Sequence, residues 1–231
     1  MEAPGRGQLQ TEQAAPYPPP ARAESRWPPL LTVVLAIALQ VALPPRLVVG
    51  PRWVLPVLEG LMLLSLVILS PQREVQANHP ASRRIAIAMA ALVSLANAIS
   101  LGLLTHLLLH HNVSNGRQLI ISGVAIWLTN VLIFALWYWE ADRGGPAQRA
   151  GGRDGPPDFL FSQMSDASRW YPEWRPVFMD YLYVALTNAT ALSPTDTMPL
   201  SITAKGIMSL QSLISLVTIG LVVSRAVNIL V

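Results

Sequence analysis

The chain has 231 residues, of which 52% are hydrophobic and 13% charged, with no cysteine. Soluble domains carry roughly a quarter of charged residues, so this balance excludes an ordinary soluble fold and points to lipid as the solvent. The missing thiols exclude disulfides, a thiol nucleophile and Cys-ligated metal, and the net charge of +3 comes mostly from arginines scattered through loops, a pattern suited to anionic lipid headgroups rather than nucleic acid.

Residues 1–26 are rich in Pro, Gln, Ala and Gly, with the run Tyr17-Pro18-Pro19-Pro20. No periodic apolar face runs through them, so a disordered tail is expected. The first apolar block, 30–43, stands behind Trp27-Pro28-Pro29 with no small-residue cleavage site after it, and it is expected to stay in the mature chain. It is short for a span, and Pro44-Pro45 ends it. The next blocks are 53–70, 85–109 and 119–139. The last of these closes on Trp137-Tyr138-Trp139, the aromatic belt expected at a headgroup boundary. The stretch 140–176 is rich in Gly, Pro and Arg and is predicted to be an aqueous loop. A semipolar segment, 177–192, follows, and block 206–231 ends the chain. The predicted fold is all-α: a polytopic transmembrane bundle with five clear helices and one semipolar segment that spans or re-enters. Its parts are a tail (1–26), a four-helix membrane region (27–139), the loop (140–176) and a C-terminal unit (177–231).

The segment from Asp180 to Pro199 has a particular order. Asp180 opens it, Leu182-Tyr183 follow, and Thr187 and Thr190 precede Ala191, Leu192, Ser193, Pro194, Thr195 and Asp196. This run resembles the pore helix, filter and outer mouth of potassium channels, where a typical run reads D-x-L-Y-F-S-F-T-T-x-T-T-V-G-Y-G-D-x-x-P. The two align without a gap. The resemblance implies a pore helix carrying Asp180, Tyr183 and Thr187, a constriction at Thr190 to Asp196, and an inner helix behind Lys205. The departure is at the filter, where Ala191-Leu192-Ser193-Pro194-Thr195 replaces T-V-G-Y-G. Both glycines are gone, and Pro194 fixes its own φ, so a potassium filter of the familiar geometry is not expected. The whole chain is also similar to uncharacterised bacterial polytopic membrane proteins, a likeness that implies no mechanism.

On the last helix Gln211, Ser215, Thr218 and Arg225 share one face. In a pore this would be the water-facing stripe; in an ordinary bundle such residues join helices by hydrogen bonds. Topology leaves two arrangements. If 177–192 spans and the tail is cytoplasmic, most arginines lie inside, as the positive-inside tendency requires. If it dips and returns as an external pore loop, the Arg-rich loop falls outside.

Glu59, within the second block, is an intramembrane acid and a candidate for binding a proton or cation, or for structural pairing. Asn97 and Asn130 lie at comparable depth. His106, His110 and His111 have local metal-ligand spacing, but His79 is the only other histidine. A di-iron enzyme is excluded on ligand count, and polar residues at a helix end are the preferred reading. Asn112-Val113-Ser114 is a formal glycosylation acceptor that decides nothing. No phosphate-binding, nucleophile-elbow or H-E-x-x-H motif is present, so the chain is not expected to be an enzyme, and no cofactor, resident metal or catalytic residue is assigned. The function expected is channel-like ion permeation in the cell membrane by an oligomer, tetrameric by the resemblance, with an inorganic ion as cargo and Gln211, Ser215 and Thr218 facing the pore. The rival is a non-conducting membrane scaffold or assembly protein.

Overall fold

The computed structural model describes residues 24–69, 80–110, 116–150, 155–165, 170–172, 174–191 and 197–230. Its helices are α1 (Trp27–Ala42), α2 (Val54–Leu69), α3 (Pro80–His110), α4 (Gly116–Ala141), α5 (Pro146–Ala150), α6 (Phe178–Ala191) and α7 (Ile202–Leu230). Two short strands, β1 (Phe159–Leu160) and β2 (Met198–Pro199), pair antiparallel. Proline starts α1, where its missing N–H is no loss, and Pro44 follows its end. After α4 the backbone turns left-handed through Arg143 (φ 51°), Gly144 (φ 76°) and Gly145 (φ 100°). That reversal suits glycine and ends the helix sharply.

Residues Val131 to Leu136 of α4 are all buried. A helix apolar on every side belongs in the middle of a bundle, and α4 packs against α7, α6, α3 and α1. Gly123 lets α7 approach closely, since a Cβ there would collide with the Val222 side chain. The outer helices turn large apolar residues outward, among them Leu58, Leu61 and Leu64 on α2 and Leu210, Leu213 and Leu216 on α7. An apolar exterior of this extent is stable in lipid and not in water.

Side-chain contacts fix which helix ends lie together. Trp139, near the end of α4, donates its indole N–H to Glu24, just before α1 (2.6 Å). Arg83, near the start of α3, pairs with Glu140 (3.7 Å). The start of α1, the start of α3 and the end of α4 therefore share one end of the bundle. At the other end Ser100 of α3 donates to the Leu47 carbonyl, beyond α1 (2.8 Å).

Three helical stretches are long and apolar enough to cross a membrane: Ser82–Leu109, Arg117–Gly144 and Ile202–Arg225. Five had been expected. The apolar stretches Trp27–Ala42 and Val54–Val67 are shorter, and the 16 residues of α1 reach only about 24 Å against a hydrocarbon core of about 30 Å. The structure adds detail to two other expectations. The described part of the predicted aqueous loop is folded against the bundle, with Asp142, Arg149, Phe159 and Phe161 buried, because its aromatic rings pack on one another and its charges meet helix-end groups. Within the expected aromatic belt, Tyr138 is fully buried in the bundle rather than turned outward. Of the tail, residues 1–23 lie outside the described residues.

Candidate functional site

Two polar clusters lie along α4, α6 and α7 and the segments beside them. The first is a knot at the Glu140 end. The last carbonyls of α4 lack intrahelical donors. Arg149, itself buried, supplies them, donating to the carbonyls of Trp139 and Asp142 at 2.8 Å each. A cation there also complements the helix dipole. Glu24 balances the charge, its Oε1 3.0 Å from Arg149 Nε, and the guanidinium lies over the Tyr181 ring at 5.3 Å. The Asp142 carboxylate has no exposed surface. It accepts from the Tyr181 hydroxyl (2.6 Å) and the Asp158 backbone N–H (2.9 Å), so its lone pairs are met. Asp158 in turn accepts from the Arg143 N–H through its carboxylate (2.8 Å) and from the Leu200 N–H through its carbonyl (2.8 Å).

This knot decides the course of α6. Tyr181, in the first turn of α6, is tied to Asp142. Leu200, which follows β2, is tied to Asp158, and Phe159 pairs with Pro199 in the strand ladder. The chain thus leaves the Glu140 end in α6 and is back at that end before α7 begins. Asp180 helps start the helix, accepting from the Val177 N–H at 2.7 Å.

Deeper in the bundle lies the second cluster. Gln211 of α7 has no exposed surface. It donates to the Ala185 carbonyl of α6 (2.8 Å) and accepts from Asn188 Nδ2 (2.8 Å) and the Tyr138 hydroxyl. Asn188 also donates to the Met208 carbonyl (3.0 Å) and accepts from Ser212 (3.0 Å). Asn130 of α4 donates to Ser215 at 3.0 Å. Each helix contributes donors and acceptors that another consumes, so the cluster fastens α6 between α4 and α7 without leaving its amides unpaired.

The predicted stripe Gln211, Ser215 and Thr218 is therefore turned into the bundle, where all three residues are fully buried. The Thr218 hydroxyl bonds back to the Ile214 carbonyl (2.7 Å). Arg225 is half-buried further along α7. The predicted pore-helix residues divide: Asp180 and Thr187 are half-buried, while Tyr183 and Thr190 point outward. The hydroxyls of Thr187 and Thr190 bond back to the carbonyls of Tyr183 (3.0 Å) and Leu186 (2.9 Å). Ala191 is the last residue of α6; Leu192, Ser193, Pro194, Thr195 and Asp196 lie outside the described residues. Glu59 is remote from both clusters, buried beside Gln40. His106 is exposed, and His79 and His111 lie outside the described residues. Among the described residues no group of three metal-ligating side chains occurs.

Sequence reasoning passed over Asn188 and Tyr138 as partners of the α7 stripe, and Glu24, Asp142 and Arg149 as a knot. A signal was present: buried Gln and Ser on α7 demand complementary polar groups, and Asn130 and Asn188 are among the few at comparable depth. Compared with protein-family models, curated proteins and solved structures, the chain matches none.

Proposed function

We propose that the chain is a multi-pass protein of the cell membrane in which α1, α2, α3, α4 and α7 cross the bilayer and α6 enters and returns. Several copies together would provide channel-like ion permeation without the familiar potassium selectivity. One observation carries this reading: the start of α6 and the strand after it are tied to the same end of the bundle, through Asp142 and Asp158. A helix that crosses, a helix that dips and returns, and a second crossing helix are the order of parts that the resemblance of 180–199 to a potassium-channel pore implies.

The charge tendency is met if the segment dips from the end where α1 begins, the reverse of the external pore loop that the resemblance implies. Arg83, Arg84, Arg143, Arg149 and Lys205 belong to the end where α1 begins, whereas Arg46, Arg52, Arg117 and Arg225 belong to the other. By the positive-inside tendency the more basic end is cytoplasmic, so the dipping segment opens toward the cytoplasm. The short helices α1 and α2 meet the bilayer by local thinning, at a modest cost per ångström.

Because the buried stripe is closed by hydrogen bonds, the ion path runs between copies, against the outward face of α6 with Tyr183 and Thr190. Backbone that re-enters lipid must be covered by protein or line water, and neighbouring copies provide both; by the resemblance the assembly is a tetramer. The hydrogen-bonded closure of Asn130, Asn188 and Gln211 equally suits the second reading, a non-conducting scaffold that keeps the pore-like fold.

Current across planar bilayers containing purified protein separates the two readings, with Asp196→Ala and Pro194→Gly compared under sodium, potassium and chloride gradients. Reproducible current whose reversal potential or conductance changes with those substitutions is the expected result. Silence from folded, reconstituted protein over a range of voltage and pH overturns permeation and leaves the scaffold.

A further inference from the structure

Glu59 has no exposed surface, although its neighbours on α2, Val57, Leu58 and Leu61, point outward. An ionised carboxylate in an apolar bundle costs several kcal/mol unless a cation or a set of donors compensates it. Among the described residues no Lys, Arg or His stands within ion-pair distance of Glu59. Its polar partner is Gln40 of α1, which is also buried. In the orientation that satisfies both ends of the amide, its nitrogen reaches both carboxyl oxygens at 3.2 Å.

A primary amide offers donors on one side and an acceptor on the other. Gln40 can donate to a Glu59 carboxylate and equally to the carbonyl oxygen of a Glu59 carboxylic acid, without turning. The pair is hydrogen-bonded in either protonation state, which a permanent ion pair would not be. Beside it lies a cavity of about 30 Å³ lined by Gln40, Arg52, Pro56 and Ser100, though not by Glu59 itself, roomy enough to hold water. Arg52 is the one charged residue of that lining; it is exposed, and its guanidinium is held by the Val41 carbonyl at 3.1 Å. From α3 the lining is Ala96, Ile99 and Ser100, which are uncharged. The Ser100 hydroxyl is committed to Leu47. The cavity therefore connects Gln40 with the end of the bundle opposite the Asp142 knot.

We propose that Glu59 and Gln40 form a reversible proton-binding site reached through this cavity from the Arg52 end. A hydronium ion entering at the Arg52 side breaks one of its O–H bonds as an O–H bond forms on Glu59 beside Gln40; a neutral water is left, and the carboxyl becomes neutral while the Gln40 amide keeps its bond to the carboxyl oxygen. The inference rests on the membrane reading of α1 and α2 and is independent of permeation along α6.

Full-length protein in phospholipid vesicles is treated across a pH series with a hydrophobic carbodiimide, which adds to protonated carboxyls in apolar surroundings. Adducts are located by mass spectrometry, and a water-soluble carbodiimide is used in parallel. The hydrophobic reagent is expected to modify Glu59, with labelling that falls about tenfold per pH unit above a single midpoint. The Gln40→Leu variant, which removes the donors serving the ionised form, moves that midpoint to higher pH; if that variant fails to fold, the profile of the unaltered protein decides. Labelling that does not vary with pH, or no Glu59 adduct while denatured protein is labelled, overturns the proposal. So does protection of Glu59 by sodium at fixed pH, which marks a metal-cation site instead. Equal labelling by the water-soluble reagent refutes the bilayer placement of α2, a different failure from the others.

Discussion

Gln211 ties α7 to both α4 and α6, because its amide is shared by Ala185, Asn188 and Tyr138. Replacing it with Leu leaves the Ala185 carbonyl and the Asn188 amide short of partners in a dry interior. The expected loss is about 1–3 kcal/mol, read as a lowered Tm in detergent. A double-mutant cycle with Asn188→Ala should return a coupling of roughly 1 kcal/mol, and additive losses would deny the network. Asp180 invites a test by pH. Burial raises its carboxyl above the usual range, against the Val177 N–H that favours the charge. A raised acid is most compatible with the fold while protonated and loses stability as pH rises through its folded value. Asp180→Asn keeps an acceptor for Val177 and removes the charge. The variant should melt higher than the unaltered chain at neutral pH, and the advantage should vanish on acidification. A difference that is constant with pH would refute this assignment.

Among elements, the contact of α4 with α7 depends on Gly123. A larger side chain meets Val222, and the helices must separate or tilt. Gly123→Val is expected to cost about 1–3 kcal/mol by overpacking and to weaken the bond between Asn130 and Ser215, lowering Tm more than Gly102→Val, where no neighbour stands within 4 Å. The knot of Glu24, Arg149 and Asp142 fastens three elements in the same way. Arg149→Met removes the donors for the Trp139 and Asp142 carbonyls and leaves the half-buried Glu24 without its cation. Limited proteolysis should then cut first within 142–165, with the helices cleaved later.

For the whole molecule, topology is the property with most consequence. The chain has no native cysteine, so single cysteines can be placed without altering the background. Cysteines at Gly155 and Ser201 should react with an impermeant thiol reagent from the same face of a sealed vesicle, and one at Arg117 from the opposite face. If α6 crosses the membrane, Gly155 and Ser201 will instead react from opposite faces. Crosslinking in vesicles should trap assemblies of several copies through Tyr183→Cys on the outward face of α6, whereas a strict monomer would count against an ion path between chains.

Hydropathy alone was enough to locate the helices, because a continuous apolar run long enough to form a helix needs no partner to be recognised; α3, α4 and α7 follow blocks 85–109, 119–139 and 206–231 closely. It was also enough to place Gln211, Ser215 and Thr218 on one face, since that follows from helical periodicity. Which way that face turns depends on neighbours far along the chain. Asn130 and Asn188 meet it from other helices, and only the packed structure brings them there. The same holds for residues 140–176, whose Gly and Pro content reads as a loop although Arg149 and Asp142 are drawn inward by groups that no local pattern reveals. Whether α6 spans or returns was undecided by composition, since a semipolar 14-residue helix suits either course; the hydrogen bonds from Asp142 to Tyr181 and from Leu200 to Asp158 decide that both its flanks sit at one end of the bundle.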